Sequence, residues 1–171
     1  VGVINKLNEF KILRNAIKAI KLLNLNNIPC FLVSNQASLS RKKIKFKVFN
    51  RIHSQLENSL SFNNAYLDDY SYCPNFGKKK FFRIDFPYFS NYRKPDPGML
   101  RNFEKKYNIN LKKSFFIGDR DIDVLTGKKV GCKTYLVNGP KLKDYKFKIK
   151  PDFFVNDALD AVNKILKINE I

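Results

Sequence analysis

Three short clusters in this chain combine residue types that handle phosphate. Ser34-Asn35-Gln36 offers a hydroxyl and two amides, Arg93-Lys94-Pro95 offers two cations on a stiff turn, and Gly118-Asp119-Arg120-Asp121-Ile122-Asp123 offers a group of carboxylates. A hydroxyl with neighbouring backbone N–H groups holds phosphate oxygens, and a lysine neutralises charge on a phosphoryl group in transit. Carboxylates grouped on one turn suit Mg2+, a hard cation that keeps several waters and takes only one or two protein carboxylates. Each cluster alone has a bland reading: an Asx-type turn, a Pro-Gly surface turn, an acidic helix start. Their joint occurrence after successive strands favours a phosphoryl-transfer site over coincidence.

The elements that carry these clusters follow from periodicity. Leu13, Ala16, Ile17, Ala19, Ile20 and Leu23 recur at helical spacing between lysines, and Asn24 to Asn27 with Pro29 ends that helix. Cys30 to Val33 is a short apolar run that predicts a strand buried on both faces, delivering the polar turn Ser34 to Gln36. A helix over Ile44 to Leu60 and a strand within Ala65 to Cys73 come next. From Pro74 to Tyr92 the pattern disappears into a long excursion rich in aromatics, the kind of loop that is usually functional or mobile. Arg93 to Gly98 predicts a basic turn, Met99 to Tyr107 a helix, Ser114 to Ile117 a buried strand, Gly118 to Asp123 an acidic turn, and Val124 to Val130 a helix. Strands at Lys133 to Val137 and Asp152 to Val155, and a helix from Ala158 to Ile168, complete the alternation. Strand and helix in alternation predict an α/β fold with a parallel sheet, whose sites lie at the carboxyl ends of the strands.

Length and composition set outer bounds. With 171 residues and 44% hydrophobic content the chain can close one substantial core, so a single domain is expected. No apolar run approaches the ~18 residues that span a bilayer and no signal peptide is evident, so a cytoplasmic chain with no membrane partner is expected; a monomer is the default expectation. Cys30, Cys73 and Cys132 are scattered and odd in number, which predicts reduced thiols acting as small hydrophobes. The net charge of +18 would attract any polyanion, but the lysines are spread along the chain, so a solvated surface is favoured and nucleic acid is not the expected partner. His53, the only histidine, is expected to be a solvated helix residue, and Lys78 to Lys80 a solvated loop.

The ordered set Val33-Ser34-Asn35-Gln36 with Arg41, Tyr72-Cys73-Pro74, Arg93-Lys94-Pro95-Asp96-Pro97-Gly98-Met99 and Phe116-Ile117-Gly118-Asp119-Arg120 with Asp123 and Gly131 resembles the haloacid-dehalogenase superfamily. Within it, order and spacing resemble the heptose bisphosphate and histidinol-phosphate phosphatases over essentially the whole chain. The resemblance implies a Rossmann-like parallel sheet flanked by helices, with residues 1–171 as one domain and a loop insertion at about 74–92. It implies a Mg2+-dependent phosphatase of a small phosphorylated sugar, a heptose bisphosphate being the leading candidate. Ser34, Lys94 and Asp119 take the catalytic roles: a hydroxyl on the phosphoryl group, the neutralising ammonium, and the Mg2+ carboxylate. Asn35, Gln36, Arg93 and Arg120 fall at substrate contacts, and Asp123 falls behind Asp119 as an outer carboxylate of the metal site.

The departures from the family pattern set further expectations. The family's N-terminal strand ends in DxDGT, whose aspartates act as nucleophile and general acid, and these 171 residues contain no such motif. The first strand is therefore expected to be missing, and the chain as it stands to be inactive. Many relatives also hold a structural zinc with Cys-x-His and Cys-x-Cys in the long loop. Here Cys73 remains while Asn75, Ser90 and Tyr92 take the other places, so no zinc is expected and the loop must pack through Phe81, Phe82, Phe86, Tyr88 and Phe89. A polynucleotide 3′-phosphatase and a degenerate domain that only binds phosphorylated ligands are the competing readings.

Overall fold

The structure is a computed structural model, and it describes residues 4, 6–13, 15–75, 91–137 and 149–169. The aromatic and lysine-rich positions from 76 to 90, including Ser90, lie outside the described residues. The chain divides into two compact units, residues 1–90 and residues 91–171.

In the first unit, α1 (Ala16–Leu25) turns its buried Ala19 and Leu23 inward, as the helical spacing predicts. It leads to β1 (Phe31–Asn35), a short α2 (Ala37–Ser40), the long α3 (Phe46–Phe62) and β2 (Asp69–Cys73). β1 and β2 pair in parallel, with Ser34 opposite Tyr72 and Asn35 opposite Cys73. Leu39, Ile44 and Phe49 form a buried cluster with Tyr72 packed against it, so the helices that follow β1 cover this sheet. Two expectations are corrected here. β1 is half-buried along its whole length rather than buried on both faces, and it runs through Ser34 and Asn35, so the polar cluster lies mostly in the strand. Ladder pairing with β2 keeps two turn-prone residue types extended, a case of tertiary context overriding local preference.

The second unit runs through α4 (Gly98–Tyr107), β3 (Phe115–Gly118), α5 (Asp121–Lys128), β4 (Lys133–Val137), β5 (Phe153–Val155) and α6 (Ala158–Asn169). The order β3-β4-β5 is parallel throughout, with α5 as the crossover between β3 and β4, the α/β architecture that the alternation predicts. β4 lies between its neighbours, and Thr134, Tyr135 and Leu136 are buried. Tyr135, Val155, Ala161 and Ile165 make the core against α6, and the Tyr135 ring stacks on Phe153 at 4.8 Å. α4 stops where Asn108 takes a left-handed conformation (φ 52°), which the short Asn side chain tolerates. The acidic turn is shorter than expected: Gly118 closes β3 and α5 starts at Asp121, leaving only Asp119 and Arg120 between them.

Among the described residues, no helix is long and apolar enough to cross a membrane. Among the described residues, no cysteine forms a disulfide. Burial, with the charge of Asp68 adding to it, pushes the Cys30 thiol up to about 12. Burial likewise raises Cys132 to about 11, with Glu104 adding and Arg101 opposing. Both thiols are inert at neutral pH, consistent with roles in packing.

Candidate active site

In the second unit, the Lys94 Nζ lies 2.7 Å from Asp123 Oδ1, and the two side chains are only 12% and 5% exposed. The ammonium also stands over the buried Phe116 ring, 5.9 Å from its centroid. The other oxygen of Asp123 is occupied from the backbone: Oδ2 accepts from the N–H groups of Asp119 at 3.2 Å and Arg120 at 3.1 Å. Asp123 is the third residue of α5, so it reaches back to the residue preceding the helix and satisfies donors that the first turn leaves open.

This arrangement needs Gly118. A Cβ at that position would sit 2.3 Å from Asp123 Cβ and 2.7 Å from its Oδ2, inside any tolerable contact. The strand must end in a residue without a side chain for the carboxylate to fold back over it. The basic turn is closed by Asp96 N–H donating to Arg93 O at 2.8 Å, and the Lys94-Pro95 peptide is cis. Arg93 and Lys94 are half-buried and engaged in contacts.

Asp119 behaves differently from Asp123. Its residue is exposed, and among the described residues its carboxylate makes no hydrogen bond or ion pair. The resemblance implies Asp119 as the metal carboxylate and Asp123 behind it as an outer one. With both oxygens of Asp123 engaged, an inner-sphere bond from it would break the Lys94 pair or the turn. One open carboxylate, completed by waters, fits the habit of Mg2+, so Asp119 is the residue that would hold such an ion. Arg120, next in the turn, is exposed.

In the first unit, Ser34 lies one residue before the end of β1, and Gln36 Nε2 donates to its Oγ at 3.0 Å. The Gln36 N–H donates to Cys73 O at 2.7 Å, one step beyond the last ladder pair. Asn35 is half-buried and also engaged. Cys73 is 1% exposed and Asn75 8% exposed, both in the core rather than facing solvent.

His53 is a correction. It is not solvated: its side chain is 13% exposed, its Nδ1 lies 2.9 Å from Tyr72 Oη, and its Nε2 lies 3.3 Å from Glu57 Oε1. Tyr70 covers the ring at a centroid distance of 4.0 Å. Burial pushes the Tyr72 hydroxyl far above its usual range, with Tyr70 and Glu57 adding to the effect, so it stays neutral and acts as a hydrogen-bonding group. Nothing in the local helical pattern signals this contact, because both tyrosines come from β2.

A parallel sheet with a buried lysine-aspartate pair and an acidic turn at a strand end fits a hydrolase of the haloacid-dehalogenase (HAD) class. Residues 91–161 match the family described as "HAD-hyrolase-like". The chain belongs to the HAD-like phosphatases, hydrolases of phosphomonoesters. It is 30% identical over 169 residues to D-glycero-beta-D-manno-heptose-1,7-bisphosphate 7-phosphatase of Pasteurella multocida, covering 97% of this chain and 89% of that protein. It is 26% identical over 172 residues to the corresponding D-glycero-D-manno-heptose enzyme of Thermosynechococcus vestitus, covering 96% of this chain and 88% of the relative. The fold matches the crystal structure of D,D-heptose 1,7-bisphosphate phosphatase from B. bronchiseptica, complexed with magnesium and phosphate, with a TM-score of 0.82 at 23% identity over 96% of this chain and 88% of that one.

Proposed function

We propose that this chain carries the machinery of a Mg2+-dependent phosphatase acting on a phosphorylated sugar, with D-glycero-D-manno-heptose 1,7-bisphosphate as the substrate. The buried Lys94–Asp123 pair carries the reading. An ammonium held in a desolvated place by a carboxylate is suited to charge that builds on a phosphoryl group, because it needs no reorganisation when that charge arrives. The substrate assignment draws on the names of the relatives aligned along nearly the whole chain.

In this reading the Ser34 hydroxyl donates to a phosphoryl oxygen and Lys94 neutralises its charge. Arg93 and Arg120 contact substrate phosphate, and Asn35 and Gln36 stand beside the reacting group. Asp119 would hold Mg2+, which supplies Lewis-acid polarisation of the phosphoryl oxygens when bound. Asp123 stays behind it, fixing Lys94 and the turn. No DxDGT occurs in these 171 residues, so the chain on its own is proposed to bind phosphate without turning over.

The test is Mg2+-dependent phosphate release from heptose bisphosphate, histidinol phosphate and a 3′-phosphorylated oligonucleotide. The 171-residue chain is compared with a form extended by a DxDGT-bearing strand. Release from the heptose substrate by the extended form alone supports the proposal. The net charge of +18 favours the polynucleotide alternative, and preference for the oligonucleotide would select it. No release by either form from any substrate leaves a phosphate-binding domain.

A further inference from the structure

We infer that Gln36 is a positioning residue that fixes the direction in which the Ser34 hydroxyl donates its proton; this rests on the proposed role of Ser34 as a phosphoryl contact. Residues two apart in an extended strand share a face, so a side chain just beyond the end of β1 can fold back along the strand to Ser34. Gln36 does so, with Nε2 at 3.0 Å from Ser34 Oγ.

Its own backbone is held from two directions. The N–H donates to Cys73 O at 2.7 Å in β2, and the carbonyl accepts from Leu39 N at 3.1 Å in the first turn of α2. The amide therefore approaches the hydroxyl from a fixed place.

A serine hydroxyl has one proton and two lone pairs. The Gln36 N–H takes one lone pair and, being a donor, cannot receive the proton. The hydroxyl proton must then go to another acceptor, and a phosphoryl oxygen is one. Were the partner an acceptor instead, it would capture that proton and present lone pairs to an anion. The role thus depends on Gln36 being a neutral donor rather than on its bulk.

The experiment titrates the full 171-residue chain with inorganic phosphate in the presence of Mg2+, following the backbone amide signal of Asn35 by NMR. Ser34→Ala is expected to weaken phosphate about tenfold or more, as loss of a hydrogen bond to a charged group. Gln36→Met, which keeps length without the donor, is expected to weaken it about threefold to tenfold, and Gln36→Glu more than Gln36→Met. In the Ser34→Ala background the Gln36→Met change is expected to have no further effect, since it acts only through the hydroxyl.

If Ser34→Ala weakens phosphate but Gln36→Met does not, the inference is overturned while the role of Ser34 stands. Equal losses from Gln36→Met with and without the serine also overturn it, because Gln36 then acts on its own. If Ser34→Ala binds phosphate as well as the parent, the proposed role of Ser34 fails and this inference fails with it.

Discussion

At the carboxyl end of β1 the polar atoms are neutral and half-buried; beside the end of β3 the Lys94–Asp123 pair is charged and almost wholly withdrawn from water. Ser34 needs only one amide at 3.0 Å to be oriented, whereas Lys94 is met at 2.7 Å by a carboxylate whose second oxygen takes two backbone N–H groups. The difference follows from desolvation. A hydroxyl loses little when it waits for a ligand in a half-exposed strand, but a buried ammonium without a counter-charge loses several kcal/mol. The charged half must be internally neutralised whether or not a ligand is present, so its site residues are also structural residues.

The comparison breaks most visibly if Lys94 can be removed cheaply. Lys94→Ala leaves Asp123 buried without its cation and is expected to lower the unfolding free energy by about 3 kcal/mol in a urea titration. The added change Asp123→Asn should recover part of that loss, and an unchanged urea midpoint for Lys94→Ala would show that the pair is not structural. Next in size, Gly118→Ala should cost about 2 kcal/mol through overpacking against Asp123, read as a lowered midpoint and as shifted amide signals of Asp119 and Arg120 in NMR spectra. In the first unit, Tyr72→Phe removes one hydrogen bond to His53 and should cost only about 1 kcal/mol by the same titration.

A half-exposed carboxylate in the second unit tests the middle ground. Burial alone would raise the Asp152 carboxyl, but hydrogen bonds from Lys128 and from the backbone and hydroxyl of Thr134, with the charge of Lys128, hold it below the usual carboxylate range. A folded-state value below the unfolded one gives stability that is present above the ordinary carboxylate value and lost as pH falls through the folded one. Asp152→Asn should therefore flatten the acid limb of a stability-pH profile, with the smallest effect of the four because solvent screens the pair.

Much of this could be read in the residue pattern, and the failures have a common cause. Helix and strand positions follow from spacing in Ala16 to Leu25, Phe46 to Phe62 and Lys133 to Val137 because burial on one face leaves a period in the chain. Ser34 and Asn35 defeat that reading, since their side chains favour turns and only pairing with Tyr72 and Cys73 keeps them extended. His53 looks like any polar helix residue until β2 supplies Tyr70 and Tyr72. At the candidate site, motif order names Lys94 and Asp123, but not that they bind one another. That contact crosses from one turn to another, and it changes what Asp123 is free to do.

The two oxygens of Asp123 face different parts of the chain, one the Lys94 turn and the other the amides that begin α5. Neither segment can shift without pulling on the same carboxylate, so the basic turn and the helix start should fluctuate as one body with a single exchange rate. An anion that meets Lys94 then acts on the Asp119 and Arg120 amides as well, through the one carboxylate that the basic turn and the helix start share.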